Sequence, residues 1–343
     1  MGGPDMAPHT PQSLVAARRS LHTLVAPRGG CGGRRLSVAA CVMVTLVVVG
    51  LAGGGVYPAD GAAKLRVVAT IADLKALTEA VGGDLVEVDS LVRGNQNPHD
   101  LEVRPSLMVK LRRADALVVN GLELDHWADA VIRGANNARV VPGSPGYIDA
   151  SRGVPVIDVP TGRVDRSMGD VHPLGNPHYT LDPDLAPVVT QTILDGLAQL
   201  APEHRPAFER QRQAFVARLE PALARWHAAL ASAQAARFVV YHNNLGYFFR
   251  RFGLTQLGTI EDRPGIPPSP AHLARLVREM KDARMRVVVV VEPWSDQRLA
   301  ARLAEEAGAR VAMVNARLGA LSGPEAYLQS VDANVTALAQ AAR

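Results

Sequence analysis

The residues point to an α/β protein of two doubly wound lobes with mostly parallel sheets, joined by a long connecting helix. Three observations carry this. Short β-rich runs alternate with helical patterns in two separate stretches, 65–141 and 238–342, the order that builds parallel sheets. Between them a mostly helical stretch runs from 183 to 235. Residues 287–291 are all valine, typical of a strand buried on both faces of a parallel sheet.

In the first stretch, 65–70 reads as a strand. The helical spacing Leu74, Leu77, Ala80 and Val81 follows and stops at Gly82-Gly83. A partly alternating run, 86–92, leads through Gly94 into a loop. Pro105-Ser106 opens a helix carrying Leu107, Met108, Leu111 and Ala114, and 116–119 is a buried-type strand ending at Asn120-Gly121. Residues 127–132 read as helix and 139–141 as a short strand. From 144 to 177 the chain is rich in Pro, Gly and Asp without a clear period. An irregular loop of that length is expected to be functional or mobile. Leu181-Asp182-Pro183 starts the connector, which Pro202, Pro206 and Pro221 divide or bend. The second stretch reads as strand 238–241, helix 246–252 and strand 256–260. Helix 270–283 then begins behind the N-cap and N1 pair Ser269-Pro270. The valine strand, helix 299–307, strand 311–314 and a closing helix 326–342 complete it. The expected organisation is a leader over 1–63, a first lobe over 64–182, the connector over 183–235 and a second lobe over 236–343.

Composition narrows the partners and the compartment. With 343 residues, 48% of them hydrophobic, the chain can bury a large core, while 4% aromatics is too few for nucleic-acid stacking platforms. The formal net charge is +4, but five arginines against two aspartates precede residue 64. What remains is nearly neutral, so no nucleic-acid partner is expected. Arg34-Arg35, the apolar run 36–52 and the small residues Gly53-Gly54-Gly55 and Gly61-Ala62-Ala63 have the order of a secretory signal. Export to the periplasm or cell surface is therefore expected. The apolar run is near the lower length for a spanning helix, which makes an uncleaved anchor the alternative. Both cysteines, Cys31 and Cys41, lie in this leader. The rest of the chain has no thiolate to offer, so a metal must be held by His, Asp, Glu or Asn.

The chemistry-bearing motif is used twice, as Asn97-Pro98-His99 and Asn176-Pro177-His178. A third histidine, His242, ends the strand 238–241. Proline fixes its own φ and pushes the preceding residue toward extended geometry, so each motif presents its imidazole from a pre-shaped turn. Three neutral imidazoles converging from distant segments suit a borderline metal such as Zn²⁺; three unrelated surface histidines are the bland alternative. His242, Glu261, Glu292 and Asn315 each follow the carboxyl end of an expected strand, where doubly wound sheets bind ligands. His172 is read as a turn residue, with a transient entry ligand as the alternative, and His126, His204, His227 and His272 are read as ordinary helix residues. The chain contains no His-Glu-x-x-His pair, no Walker-type phosphate loop and no Gly-x-Ser-x-Gly. A secreted zinc hydrolase stays as the alternative from another class, though ligands scattered singly over two lobes favour a clamp.

Several segments together resemble one family. They are Asn97-Pro98-His99-Asp100-Leu101-Glu102, Gly175-Asn176-Pro177-His178-Tyr179-Thr180-Leu181-Asp182-Pro183 and Tyr241-His242-Asn243-Asn244-Leu245-Gly246-Tyr247-Phe248. With Gly265-Ile266-Pro267-Pro268-Ser269-Pro270 and Glu292-Pro293, they are similar to the zinc/manganese solute-binding proteins (cluster A-I) of bacterial ABC importers. The similarity covers nearly all of 65–343. It implies two α/β lobes joined by one long helix, with the metal in the interlobe cleft. It also implies a monomeric, non-enzymatic protein that delivers a divalent metal to an ABC permease and its ATPase.

By this resemblance His99, His178 and His242 match three metal ligands. A histidine at the third position is the zinc pattern, with Mn²⁺ less favoured. The chain departs from the family at Asn315, where an aspartate is usual; a neutral amide is a poor zinc ligand. Glu261 is expected to supply the carboxylate instead, with Glu292 or water as alternatives. The His-rich loop common in zinc members is lacking, since 144–177 holds only His172 besides His178's own motif. A manganese-binding, metallochaperone or adhesin role within the same family is the remaining alternative. Affinity is expected to fall as pH drops toward the ordinary imidazole pKa of about 6.5.

Overall fold

The computed structural model describes residues 63–315 and 320–343, all within the compact unit Val56–Arg343. The leader expected over 1–63 lies, but for Ala63, outside the described residues. Among the described residues no helix is long and apolar enough to cross a membrane.

The first sheet holds β1 (Leu65–Ala69), β2 (Val86–Ser90), β3 (Ala116–Val119) and β4 (Tyr147–Asp149), all parallel, in the order β2-β1-β3-β4. Helices α1 (Ala72–Gly82), α2 (Pro105–Arg112) and α3 (Ala128–Ala135) connect these strands, and α4 (Ala186–Leu200) and α5 (Arg205–Leu230) follow. The second sheet repeats the pattern with β5 (Arg237–Val240), β6 (Thr255–Thr259), β7 (Val287–Val291) and β8 (Arg310–Met313). Its order is β6-β5-β7-β8, again all parallel. Helices α6 (Gly246–Phe252), α7 (Pro270–Asp282), α8 (Gln297–Ala307) and α9 (Ala326–Ala341) complete it. In each sheet the winding reverses after the second strand. Ligands of such sheets bind beyond the strands' carboxyl ends at that reversal, which is where the loops described below gather.

Local chemistry explains the second lobe well. All five valines of β7 are buried, as a central strand covered on both faces requires. Ser269 caps α7 by accepting from the His272 amide, with Pro270 at the first turn. Asp296 caps α8 by accepting from the Arg298 and Leu299 amides, and Gly308 ends that helix in the left-handed conformation at φ 68°.

Residues 183–235 are two helices, not one. Ala201 leaves the helical region at φ −138° and ψ 76°, and a 3₁₀ turn, Pro202–His204, precedes α5. Pro202 lacks an N–H and holds Ala201 extended, which ends α4. Pro221 sits inside α5 without ending it. The 26 residues of α5 span about 39 Å at the usual helical rise. Its buried stripe is Phe208, Phe215, Leu219, Ala222, Trp226 and Leu230. The helix packs on α1 and α4 and also on α9. Trp226 donates its indole N–H to Asp332 on α9. One apolar core therefore runs from the first sheet along α5 into one face of the second sheet. A separate cluster under α7 and α8 fills the other face. Phe215 is fully buried, its ring 6.2 Å from that of Tyr327. Phe215→Ala is expected to cost about 3–5 kcal/mol, read as a lower urea midpoint with an unchanged slope.

Two expectations in the first lobe fail. Residues 139–141 are not a strand: Ala138–Val140 is a 3₁₀ turn. Asn137 curls the chain there, accepting from the Arg139 amide and donating to the Leu111 and Ala114 carbonyls. The fourth strand is instead Tyr147–Asp149, within the stretch read as irregular. At three residues it is too short to show a period.

Candidate metal centre

Each Asn-Pro-His loop is a side-chain turn. The Asn97 amide oxygen accepts from the His99 N–H at 3.1 Å, and that of Asn176 accepts from the His178 N–H at 3.0 Å. Each proline carbonyl is then tied to the β3–α3 region. Pro98 accepts from the Trp127 indole at 2.9 Å, and Pro177 accepts from the Asn120 amide at 3.0 Å. Asp125 holds that region in shape, its carboxylate accepting from the Asn120 and Gly121 amides at 2.6 and 3.2 Å. The repetition of the tripeptide is thus a repetition of one device for aiming an imidazole.

The two rings meet, with His99 Nε2 2.9 Å from His178 Nε2. His242 joins them from the end of β5; one ligand atom from each of the three lies within 4.8 Å of the others. Ring centroids are 4.7 Å apart for His99 and His242, 5.0 Å for His99 and His178, and 5.6 Å for His178 and His242. In two of the three the second nitrogen is engaged elsewhere. His178 Nδ1 is 2.9 Å from Asn176 Oδ1, an acceptor that fixes the proton on Nδ1 and leaves Nε2 a lone pair. Asn176 is itself steadied by donating to Asp158 at 3.0 Å. His242 Nδ1 lies 2.8 Å from Glu261 Oε2. Burial first, and then the neighbouring histidines, hold His99 and His178 well below the usual imidazole pKa. Both are neutral at neutral pH, the state that binds metal.

Glu261 sits where its post-strand position suggested, beside His242. Its Oε2 also accepts from the Gly265 amide at 2.8 Å. Glu292 is fully buried and engaged away from the cluster, accepting from Asn244 at 2.7 Å and Ser295 at 2.8 Å. Asn315 is left-handed at φ 57° and forms a reciprocal pair with Asn334, through bonds of 2.7 and 2.9 Å. His172, read as a turn residue, lies in a loop beside the cluster. Its ring centroid is 5.1 Å from that of His99 and 6.2 Å from that of His178. It also lines, with His178 and His242, a cavity of about 90 Å³. Asn120, Asp125 and Asp158, which support the cluster, carry no signal at sequence level.

Two parallel α/β lobes with imidazoles converging from both define a two-lobed solute-binding protein with a metal-type site. The particular kind follows from comparison. The family ZnuA, zinc-uptake complex component A, periplasmic, matches residues 67–341, and the chain belongs to that family. A high-affinity zinc uptake system protein ZnuA of Bacillus subtilis (strain 168) is 24% identical over 255 residues, covering 74% of this chain and 78% of the relative. A putative metal-binding protein of Treponema pallidum (strain Nichols) is 28% identical over 255 residues, covering 72% and 78%. A crystal structure of ZnuA superposes with TM-score 0.68 at 26% identity, over 82% of this chain and all of the other. A zinc-bound ZnuA lacking its residues 138–173 gives 0.68 at 28% identity, over 81% of this chain and 98% of the other.

Proposed function

We propose that this protein captures Zn²⁺ outside the cytoplasmic membrane and delivers it to an ABC permease and its ATPase. One observation carries the reading: three histidines from distant segments present ligand atoms within 4.8 Å of one another. His99 and His178 belong to the first lobe, 64–182, and His242 to the second, 236–343; the connector, 183–235, lies between. The three hold the ion through Nε2, a role supported by the engagement of Nδ1 in His178 and His242. An imidazole donor set favours Zn²⁺ over Mn²⁺. Capture rather than turnover is favoured because the chain's family is one of uptake components. The leader over 1–63 directs export.

Glu261 acts from behind His242 in place of the direct ligand role expected from its position. Its support is the 2.8 Å contact to Nδ1, the carboxylate–histidine–metal arrangement that fixes a ring and raises its basicity. Glu261→Gln is expected to weaken zinc binding by about 10–100-fold while leaving one ion per chain. Unchanged affinity in a chelator competition would remove that role. The function itself is tested by zinc accumulation in cells lacking the protein. Wild type should restore it and His99→Ala should not.

A further inference from the structure

Zinc held by three imidazoles has a fourth coordination position, and this inference about its donor rests on the zinc-capture reading. Three of the acidic and amide side chains past the strand ends are engaged with other groups. Glu292 serves Asn244 and Ser295, Asn315 serves Asn334, and the Oε2 of Glu261 serves His242 and Gly265.

His172 is not committed. Its Nε2 is buried and has no hydrogen-bond partner among the described residues. A buried imidazole nitrogen without a partner is costly to keep, and a metal ion is the partner that three neighbouring imidazoles already imply. Spacing agrees. Four imidazoles around one Zn²⁺, with Zn–N of about 2.0–2.1 Å, place ring centroids about 5 Å apart. His172 lies 5.1 Å from His99 and 6.2 Å from His178 on that measure. It falls outside the tighter 4.8 Å group of the other three, so binding draws its ring inward.

The loop carrying His172 is fastened to the second lobe just beyond Glu261. Asp170 donates its N–H to the Pro264 carbonyl at 2.8 Å, and Arg263 donates to the Ser167 carbonyl at 3.3 Å. Gly169, at φ 77°, permits the approach; a Cβ there would meet the Pro264 oxygen at 2.1 Å. We propose that His172 supplies the fourth ligand, making a four-histidine Zn²⁺ site in which the irregular segment 150–177 replaces the strand-end carboxylate.

The test is X-ray absorption on the zinc-loaded full-length chain, with chelator competition, for wild type, His172→Gln and the control His126→Ala. Four imidazoles in wild type are expected, and three plus an oxygen in His172→Gln, with affinity lowered on the order of 100-fold. His126→Ala should match wild type. A second variant guards against misfolding: Co²⁺-loaded His172→Cys should gain a sulfur-to-cobalt charge-transfer band that wild type lacks. Three imidazoles plus oxygen in wild type, unchanged in His172→Gln, or Co²⁺ bound by His172→Cys without the band, would overturn the proposal and leave zinc capture standing. A wild type that takes up no zinc would end both.

Discussion

His178→Ala lowers zinc affinity on the order of 10²–10³-fold, the largest loss expected from a single substitution. Zinc sites with four protein ligands bind with roughly 10–16 kcal/mol. One ligand's share is therefore about 3–4 kcal/mol, or two to three decades in the dissociation constant. His178 should lie at the upper end because it is the most prepared of the three. Asn176 fixes both its backbone and its tautomer, at 3.0 and 2.9 Å, and that ordering precedes the metal. Alanine also leaves the Asn176 oxygen without its imidazole donor. Chelator competition at pH 7.5 measures the effect, with His227→Ala as the control away from the cluster. A loss under tenfold would mean that the ring is not a ligand.

The metal-free protein loses stability steeply as pH falls from 6.5 toward 4. His172 is pushed down to about 4, by burial first and then by His242 and His126; His99 and His178 are lowered in the same direction. For each, the folded pKa lies below the unfolded value. The unfolded chain therefore takes up protons first, and the contribution present above pH 6.5 disappears as pH drops through the folded pKa. For His172 the shift corresponds to up to about 3 kcal/mol, and the other two add to it. Asp73 opposes the trend. Burial raises it to about 6, so its desolvation cost grows as pH rises from 3.8 through 6 and is relieved on acidification. Asp73→Asn should accordingly stabilise the protein at pH 7.5 and steepen its acid loss. Urea titrations at pH 7.5 and 4.5, with and without Asp73→Asn, check both signs. The same downward shifts mean that protons compete for His99 and His178 at lower pH than for a free imidazole.

The two-lobe architecture was legible because its signals are strong and local. Five buried valines identify a two-faced strand, and the Ser269-Pro270 cap is written in two adjacent residues. The histidine cluster was legible for a related reason: Asn-Pro-His sets its own turn, so its meaning travels with the tripeptide. What escaped depends on tertiary contacts. Tyr147–Asp149 pairs in parallel with β3, and three residues cannot announce such a pairing. Asn137 turns 139–141 into a 3₁₀ segment through carbonyls more than 20 residues away. The connector's break at Ala201 was legible only as a proline, since Pro221 in the next helix produces no break. His172 was read mainly as a turn residue because its neighbours in sequence are turn residues, while its neighbours in space are His99 and His178.

A single zinc site built by His99, His178 and His242 is checked by metal content and competitive titration of the full-length protein. One Zn²⁺ per chain is expected in wild type, with binding severely weakened by alanine at any one of the three. Zinc binding that survives all three single substitutions, or a folded wild type that binds none, would contradict it.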